Sequence, residues 1–344
     1  VWTTTQPLRS DMTWSDGTPV TANDLVAYFD VVRDFRLGSN HLGNFPDTVL
    51  DIEAPDNFTV KVTYDAEPGL AVWNNGVGLA SFPQAAYWAP FVEQARAAGE
   101  AVSSGITDAD ATQAIVDASL ANDDDSDDIA AADVTADDIA EYKLDAGANE
   151  ALTVLYQVSG PDAREPSAQS LIYDQWETGA FAATIVNSGY YDSGTTNTAY
   201  SDGSFRIANP GRGTDDTYGP GAGDVTAEYT EGPYIGEVLW VEHGTKDAAY
   251  EKLEGGELDF VYDPTGLTSG LRNQLAANPD LRFSVNQTEG FRYMAFNLRK
   301  APMNDLAFRE AIATVINKEL LAETVLAGAV IPGYTVIHPE LAFW

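Results

Sequence analysis

The sequence contains no cysteine, which excludes disulfide bonds, thiolate metal sites and a cysteine nucleophile but leaves the compartment open. Long hydrophobic runs are missing as well, because no stretch approaches the roughly 18 consecutive apolar residues of a membrane-spanning helix. With 44% hydrophobic and 11% aromatic residues, the 344-residue chain is still typical of a globular protein. Its length is sufficient for two domains.

Basic residues are scarce. The chain carries 18 Lys and Arg against 53 Asp and Glu, a formal net charge of −35. The negative electrostatic field of such a chain repels nucleic acids and anionic membranes, so neither is expected as a partner. Only six of the basic residues are lysines. We interpret the balance as an adaptation to high salt and predict a halophilic source, since salt screens self-repulsion. An acidic surface that meets a cationic partner is the alternative.

Motifs of catalysis and metal binding are missing too. The histidines, His41, His243 and His338, are isolated and show no ligand spacing such as HExxH. There is no G-x-S-x-G elbow and no phosphate-binding loop. A Ser-His-Asp site has no sequence signature of its own, because its members meet only in the fold. We expect no catalytic residues, no metal and no cofactor.

The acidic run from Asp123 to Asp128 invites a calcium interpretation. It belongs to residues 101–150, which contain fourteen acidic residues and one base, Lys143. An EF-hand loop requires glycine at position six and an acid at position twelve, but Asp128 and Val134 occupy those positions. We therefore predict a solvated acidic face of helices and loops.

The region after Trp14 combines a turn with a helix start. Asp16-Gly17 predicts a tight turn, and the spacing of Thr21 and Asp24 predicts a capping box. The apolar face of the helix that follows comprises Leu25, Phe29 and Val32. Farther on, Val49–Ile52 and Phe58–Tyr64 predict a hairpin.

The middle of the chain predicts mixed elements. Residues 71–98 indicate a loop and then a helix. Residues 189–224 are rich in Gly, Tyr, Ser and Asp and predict a polar surface insertion. The remaining elements are a strand at Glu237–Val241, a helix at Thr245–Glu254, and a strand that follows Gly255-Gly256 and ends before Tyr262.

The segment from Phe291 to Pro332 predicts a strand, a loop and two helices. Residues 293–298 alternate with a period of two, and Pro302 ends that run. Asn304 or Asp305 is a candidate helix cap. The apolar face of the first helix comprises Phe308, Ile312 and Val315. The second helix should end near Gly328.

Strings in four parts of the chain resemble the large extracytoplasmic solute-binding proteins of ABC transporters, in the peptide and dipeptide class known as solute-binding protein family 5. The first string is WSDGTPVTANDLV at Trp14–Val26. A moderate similarity covers Val238–Pro264, whose Gly-Glu-Leu-Asp unit stands between a helix and a strand in the family. A weak similarity covers Tyr173–Tyr191, where the family has a strand pair that ends in a turn. The last string comprises Phe296-Asn297, Pro302–Asp305, Arg309–Ala311, Ile316–Lys318 and Gly328–Pro332. Met303 and Asn317 depart from the family's usual Phe and Asp.

The resemblance implies an α/β, two-lobed periplasmic-binding-protein-like fold of the class II type with an extra subdomain. The implied divisions are an extra subdomain with an acidic helical insertion (1–165), the main α/β part of the first lobe (166–290) and the beginning of the second lobe (291–344). We expect the sequence to be incomplete at both ends, with the second lobe truncated and solute binding weak as a result. An apolar terminus at Leu341, Phe343 and Trp344 should then be exposed, and the two helices after Asn304 should be covered on one side only.

The function implied by the resemblance is that of a receptor, not an enzyme. Such a receptor traps a solute, most commonly a peptide, by hinge closure and delivers it to the permease subunits of an ABC importer. It is implied to be monomeric and extracellular, surface-anchored or periplasmic. An oligosaccharide receptor is the alternative within the family, with Trp73, Trp88 and Trp176 as stacking residues or, otherwise, as packing residues. A halophilic secreted hydrolase is the alternative from another class.

The resemblance also nominates ligand-binding residues. In the family, the strand end after the Gly-Glu-x-Asp unit and the strand that enters the second lobe face the ligand cleft. Arg292 is then a partner for a ligand carboxylate or for nearby acids, and the aromatic residues contact ligand or core. The nominated positions are Tyr262, Asp263, Phe291, Arg292, Tyr293 and Asn297.

Overall fold

The computed structural model describes residues 1–38, 41, 43–69, 72–73, 76–120, 128–158, 164–263, 266–283 and 290–335. The chain divides into two compact units, Val1–Glu242 and His243–Trp344. No helix in the described part of the chain is long and apolar enough to cross a bilayer. Asp123 to Asp127, His338, Leu341, Phe343 and Trp344 lie outside the described residues.

The N-terminal sheet is antiparallel and has the strand order β1-β3-β2. Its strands are β1 (Trp2–Pro7), β2 (Val49–Asp56) and β3 (Thr59–Tyr64). Alternate side chains of β3 are buried, at Val60, Val62 and Tyr64, because successive residues of a strand point to opposite faces. The predicted hairpin is confirmed.

Helix α1 (Ala22–Asp34) packs its apolar face into the core of that sheet, with Leu25, Phe29 and Val32 buried. The predicted capping box is present, since the Asp24 carboxylate accepts hydrogen bonds from the Thr21 backbone N (2.8 Å) and hydroxyl (3.1 Å). The other carboxylate oxygen accepts from the backbone N of Ala85 (2.8 Å), at the start of the next long helix. One buried carboxylate thus caps α1 and fixes a second helix beside it.

The acidic region is helical, as predicted. The helix predicted within residues 71–98 is α2 (Ala85–Gly105), and the acidic region that follows it contains α3 (Asp108–Leu120) and α4 (Ala136–Tyr156). Helices α2 and α4 approach closely at Gly99 and Gly147, where a Cβ on Gly99 would lie 2.5 Å from the carbonyl oxygen of Gly147. Only glycine allows this contact. Ion pairs from Arg36 to Glu141 and Asp145 join α4 to the chain that follows α1.

A second antiparallel sheet has the order β10-β5-β4, with β4 (Leu171–Glu177), β5 (Phe181–Val186) and β10 (Glu237–Val241). It confirms the predicted strand pair and the predicted strand at 237–241. The Asn187–Tyr191 turn follows β5. The Asn187 side chain is buried, donates to the Gln169 carbonyl (2.9 Å) and accepts from Gly189 N (3.0 Å).

The predicted polar insertion is an antiparallel sheet rather than loose surface chain. Its order is β8-β7-β6-β9. Buried Asn and Thr side chains replace an apolar core here; for example, Asn209 Nδ2 donates to Thr195 Oγ1 (2.9 Å). The polar composition of this segment, which is typical of loops, did not reveal these strands. The strands are β6 (Thr196–Tyr200), β7 (Phe205–Asn209), β8 (Thr214–Tyr218) and β9 (Val225–Thr230).

The second unit is helical where it is regular. Helix α5 (Lys246–Glu254) begins at the Thr245 cap as predicted, α6 is Ser269–Ala276, and α7 (Leu306–Val315) begins at the Asp305 cap, whose carboxylate accepts from Ala307 N (2.8 Å). A turn at Lys318–Leu320 continues as a π-helical turn at Leu321–Val325. Gly328 follows with a φ of 74°.

Two predicted strands of this unit are wrong. Neither the residues between Gly256 and Tyr262 nor residues 293–298 form a strand. An isolated extended segment gains nothing from its alternation unless a neighbouring strand accepts its backbone hydrogen bonds. The helices after Asn304 also differ from expectation, because no side chain of α7 is buried on any face.

Candidate ligand-binding site

The nominated residues all belong to the second unit, where α5 positions the first of them. Asp263 is nearly buried, with 10% of its side chain exposed. Its carboxylate forms an ion pair with Lys246 Nζ and accepts a hydrogen bond from the hydroxyl of Tyr250 (3.1 Å). Lys246 and Tyr250 lie four residues apart on one face of α5, so a single helix face holds the carboxylate.

This contact perturbs the tyrosine. Burial, followed by the hydrogen bond to the Asp263 carboxylate and its negative charge, raises the pKa of Tyr250 to about 12. The phenol therefore remains a hydrogen-bond donor at neutral pH, while Lys246 supplies the positive charge. Asp263 is accordingly a fixed and paired carboxylate, and its neighbour Tyr262 is 72% exposed.

The segment 290–297 carries the remaining nominated residues and forms neither helix nor strand. Phe291 and Tyr293 are exposed, and their ring centroids lie 5.5 Å apart at an interplanar angle of 50°. The Arg292 side chain between them in sequence is also exposed. Asn297 closes the segment as a turn residue, because its side-chain oxygen accepts from the backbone N of Arg299 (3.1 Å).

The structure thus places the nominated residues in two separate groups. The first is the exposed Tyr262 beside the buttressed Asp263, and the second is the ring pair Phe291 and Tyr293 around Arg292. Lys246 and Tyr250 were not foreseen as part of the first group. Their spacing on α5 was a signal available in the sequence, because a Lys and a Tyr at i and i+4 share a helix face.

The tryptophans considered for sugar stacking occupy packing positions in two of three cases. Trp73 packs against the core of the N-terminal sheet. Trp88 lies edge-on to Tyr87 and Phe91 with centroid distances of 5.7 and 6.0 Å, and its indole N–H donates to Glu165 (2.8 Å). Trp176 is partly exposed on β4.

Metal ligation finds no support among the residues that the structure describes, since no three His, Asp or Glu side chains converge there. His41 Nδ1 is hydrogen-bonded to the Tyr28 hydroxyl (2.7 Å). The described acids mostly form surface pairs or face solvent.

Comparison with known proteins identifies the family. A sequence model described as bacterial extracellular solute-binding proteins, family 5 middle, matches residues 2–344. The chain belongs to this family. No curated protein matches the chain.

Solved structures show the same fold. An oligopeptide-binding protein from Thermus thermophilus, in complex with a pentapeptide, superimposes with a TM-score of 0.59 at 15% identity over 99% of this chain and 47% of that one. NikA from Brucella suis with Fe(III)-EDTA gives 0.57 at 14% identity, covering 98% and 47%. NikZ from Campylobacter jejuni with Ni(L-His) gives 0.53 at 13% identity, covering 95% and 44%. The chain therefore has the mixed α/β fold of this family and spans about half the length of these proteins.

Proposed function

We propose that this chain belongs to a receptor that binds peptides without cleaving them. The observation that carries the proposal is the exposed segment 290–297, whose backbone forms neither helix nor strand. An extended ligand peptide can form hydrogen bonds with the backbone groups of such a segment, while side chains beside it supply specificity. The bound pentapeptide in the T. thermophilus relative supports peptide as the solute class.

Each nominated residue has a physical role in this proposal. Phe291, Tyr293 and the exposed Tyr262 offer aromatic surface to peptide side chains. Arg292 pairs with a ligand carboxylate, because a guanidinium binds carboxylates bidentately. Asn297 ends the binding segment as a turn. Asp263, held by Lys246 and Tyr250, keeps the preceding Tyr262 in position.

The wider role follows the family. Its members are extracellular solute-binding proteins, and we propose that this receptor is monomeric and passes its solute to the permease subunits of an ABC importer after hinge closure. A ligand stabilises a closed state to the extent that it contacts that state better than the open one. The acidic surface, with its net charge of −35, fits a receptor that works in high salt.

Peptide is favoured over oligosaccharide by the tryptophans. A sugar-stacking tryptophan needs an open ring face, whereas Trp73 lies against the core and Trp88 is packed and hydrogen-bonded. The hydrolase alternative would require a nucleophile and a general base in hydrogen-bonding contact, and the sequence contains neither a G-x-S-x-G elbow nor an HExxH spacing.

The test uses the protein at the full length that its gene encodes. It is incubated with a peptide pool in molar KCl, the retained ligands are identified by mass spectrometry, and affinities are measured by calorimetry. We expect intact peptides to be retained and Arg292→Ala to weaken binding about 10- to 100-fold, since a charge-assisted hydrogen bond contributes roughly 1.5–3 kcal/mol.

Arg299→Ala is the matched control, because Arg299 is also an exposed arginine and lies beyond the turn at Asn297. It should change the affinity less than about twofold. Retention of oligosaccharides and no peptides, release of cleaved peptides, or equal losses in both variants would contradict the proposal.

A further inference from the structure

A small pocket lies in the first unit, where the Asn187–Tyr191 turn meets the chain that follows β9. Its volume is about 240 Å³, below the range of roughly 300–1,000 Å³ that is typical of drug-sized ligands. None of the nominated residues lines it. We call it the Glu231 pocket; its lining includes Ser170, Tyr190, Glu231, Pro233, Tyr234 and Ile235.

Glu231 is held rigidly at this pocket. Its backbone N donates to the Thr195 carbonyl (2.7 Å), and its own carbonyl accepts from Gly194 N (3.1 Å). One carboxylate oxygen, Oε1, accepts from Asn197 Nδ2 (2.9 Å), and Asn197 is only 6% exposed. A buried amide that fixes a carboxylate at a pocket wall presents a preorganised negative charge.

Two tyrosines complete the walls. The Tyr234 hydroxyl donates to the Thr230 carbonyl (2.6 Å), which fixes the ring although it is 79% exposed. The ring packs so closely on the chain that a Cβ on Gly232 would lie 3.1 Å from Tyr234 Cδ2 and 2.6 Å from its backbone N. The Tyr190 carbonyl accepts a hydrogen bond from Arg212 (3.2 Å), which anchors the turn on the other side.

We propose that the Glu231 pocket binds a small organic cation, a primary ammonium on an alkyl stem. The carboxylate supplies the counter-charge, the tyrosine faces attract a cation through their quadrupoles, and Pro233 with Ile235 covers the alkyl stem. A bare metal ion is disfavoured, because the described residues offer no convergence of three acidic or histidine ligands. An anion is disfavoured by Glu231 and by the net charge.

Two sources share this chemistry, a free alkylamine and a lysine side chain of a polypeptide. The proposal is independent of peptide binding by the segment 290–297, because the two features belong to different units. Failure of one therefore leaves the other intact.

The experiment titrates n-butylammonium chloride into the chain labelled at isoleucine methyl groups and follows the Ile235 methyl resonance by NMR. Butylammonium replaces KCl at constant total chloride, so that screening does not change. We expect a saturable shift with a dissociation constant on the order of millimolar. Glu231→Gln should weaken binding at least tenfold while it preserves an acceptor for Asn197.

Glu228→Gln is the matched control. Glu228 is a carboxylate on β9 that accepts from Thr198 (3.2 Å) and does not line the pocket, so its loss should change the affinity less than about twofold. Tighter binding of Nα-acetyl-lysine amide than of butylammonium would identify a lysine side chain as the occupant, and the reverse order a free amine. An unsaturable shift, equal binding of neutral n-pentanol, or equal effects of the two Gln variants would overturn the proposal.

Discussion

Helices α1 and α7 both have an amphipathic sequence, but the apolar face is buried in α1 and exposed in α7. Each begins at a polar cap, Thr21 or Asp305, and each repeats apolar residues at helical spacing. In α1 the apolar face is packed against a sheet, and Phe29 is 6% exposed. In α7 Phe308 is 38% exposed and Val315 83% exposed.

The difference shows what an amphipathic pattern determines. Spacing of apolar residues and a cap specify that a helix forms and which face is apolar. They do not specify the surface that covers this face. In the second unit, α7 instead forms one wall of an apolar groove of about 370 Å³ with Met294 as an additional lining residue.

Charge separates the two units as well. Residues 1–242 contain 40 Asp and Glu against nine Lys and Arg, a net charge of −31. Residues 243–344 contain 13 against nine, a net charge of −4. Self-repulsion of the folded state is therefore concentrated in the first unit, which also holds the acidic helices α3 and α4.

The largest predicted effect is unfolding of the first unit at low salt. Lowering KCl from molar to tens of millimolar lengthens the screening distance from about 3 Å to more than 10 Å, so repulsion among 40 acids grows. We expect the cooperative melt, followed by far-UV circular dichroism and by tryptophan fluorescence, to disappear at low salt. Six of the seven tryptophans lie in residues 1–242, so the fluorescence reports on that unit.

Hydrogen exchange of α5 provides the internal control for this prediction. With a net charge of only −4 in its unit, α5 should keep most of its protection at low salt. NaCl and choline chloride should each substitute for KCl if screening is the cause. A melt that stays unchanged over the whole salt range, or equal losses in both units, would contradict the charge comparison.

The second prediction compares one phenylalanine from each helix. Phe29→Ala removes a fully packed ring from the first core and should lower the free energy of unfolding by about 3–5 kcal/mol. Phe308→Ala removes a ring from the exposed face of α7 and should cost about 1 kcal/mol or less. Both are measured by urea denaturation in molar KCl, with hydrogen exchange to assign each loss to its unit. Equal costs would mean that the α7 face is packed in solution.

The parts of the fold that local sequence decides could be predicted. The capping box at Thr21 and Asp24, the β2–β3 hairpin and the helix that follows Thr245 all depend on residues close to one another in the chain. The predicted strand at 293–298 was wrong, because its alternation required a pairing partner that local residues do not specify.

The candidate site likewise has a part that the sequence predicted and a part that it did not. The resemblance to the family supplied the nominated positions. The exposed pair Phe291 and Tyr293 lies within one short segment of the chain. The contacts of Asp263 with Lys246 and Tyr250 span 17 and 13 residues and depend on how α5 packs. The i, i+4 spacing on α5 places Lys246 and Tyr250 on one helix face, but no local pattern specifies that Asp263 meets this face. The four-stranded sheet β6–β9 was missed because polar strands resemble loops in composition.

The smallest predicted effect concerns alkaline pH and the second unit alone. Tyr250 has a pKa raised from 10.0 to about 12, so its neutral form is favoured by folding. The corresponding stability is fully present below pH 10 and is lost as pH rises from 10 to about 12, an effect of about 3 kcal/mol at most. Tyr250→Phe should remove this pH dependence, and Asp263→Asn should lower the pKa of Tyr250.

Tyrosinate absorbance, taken as the difference between wild type and Tyr250→Phe, gives the titration of Tyr250. Hydrogen exchange of α5 gives the stability of the second unit. A difference titration centred at pH 10, or an alkaline loss that Tyr250→Phe leaves unchanged, would show that Asp263 does not hold this tyrosine.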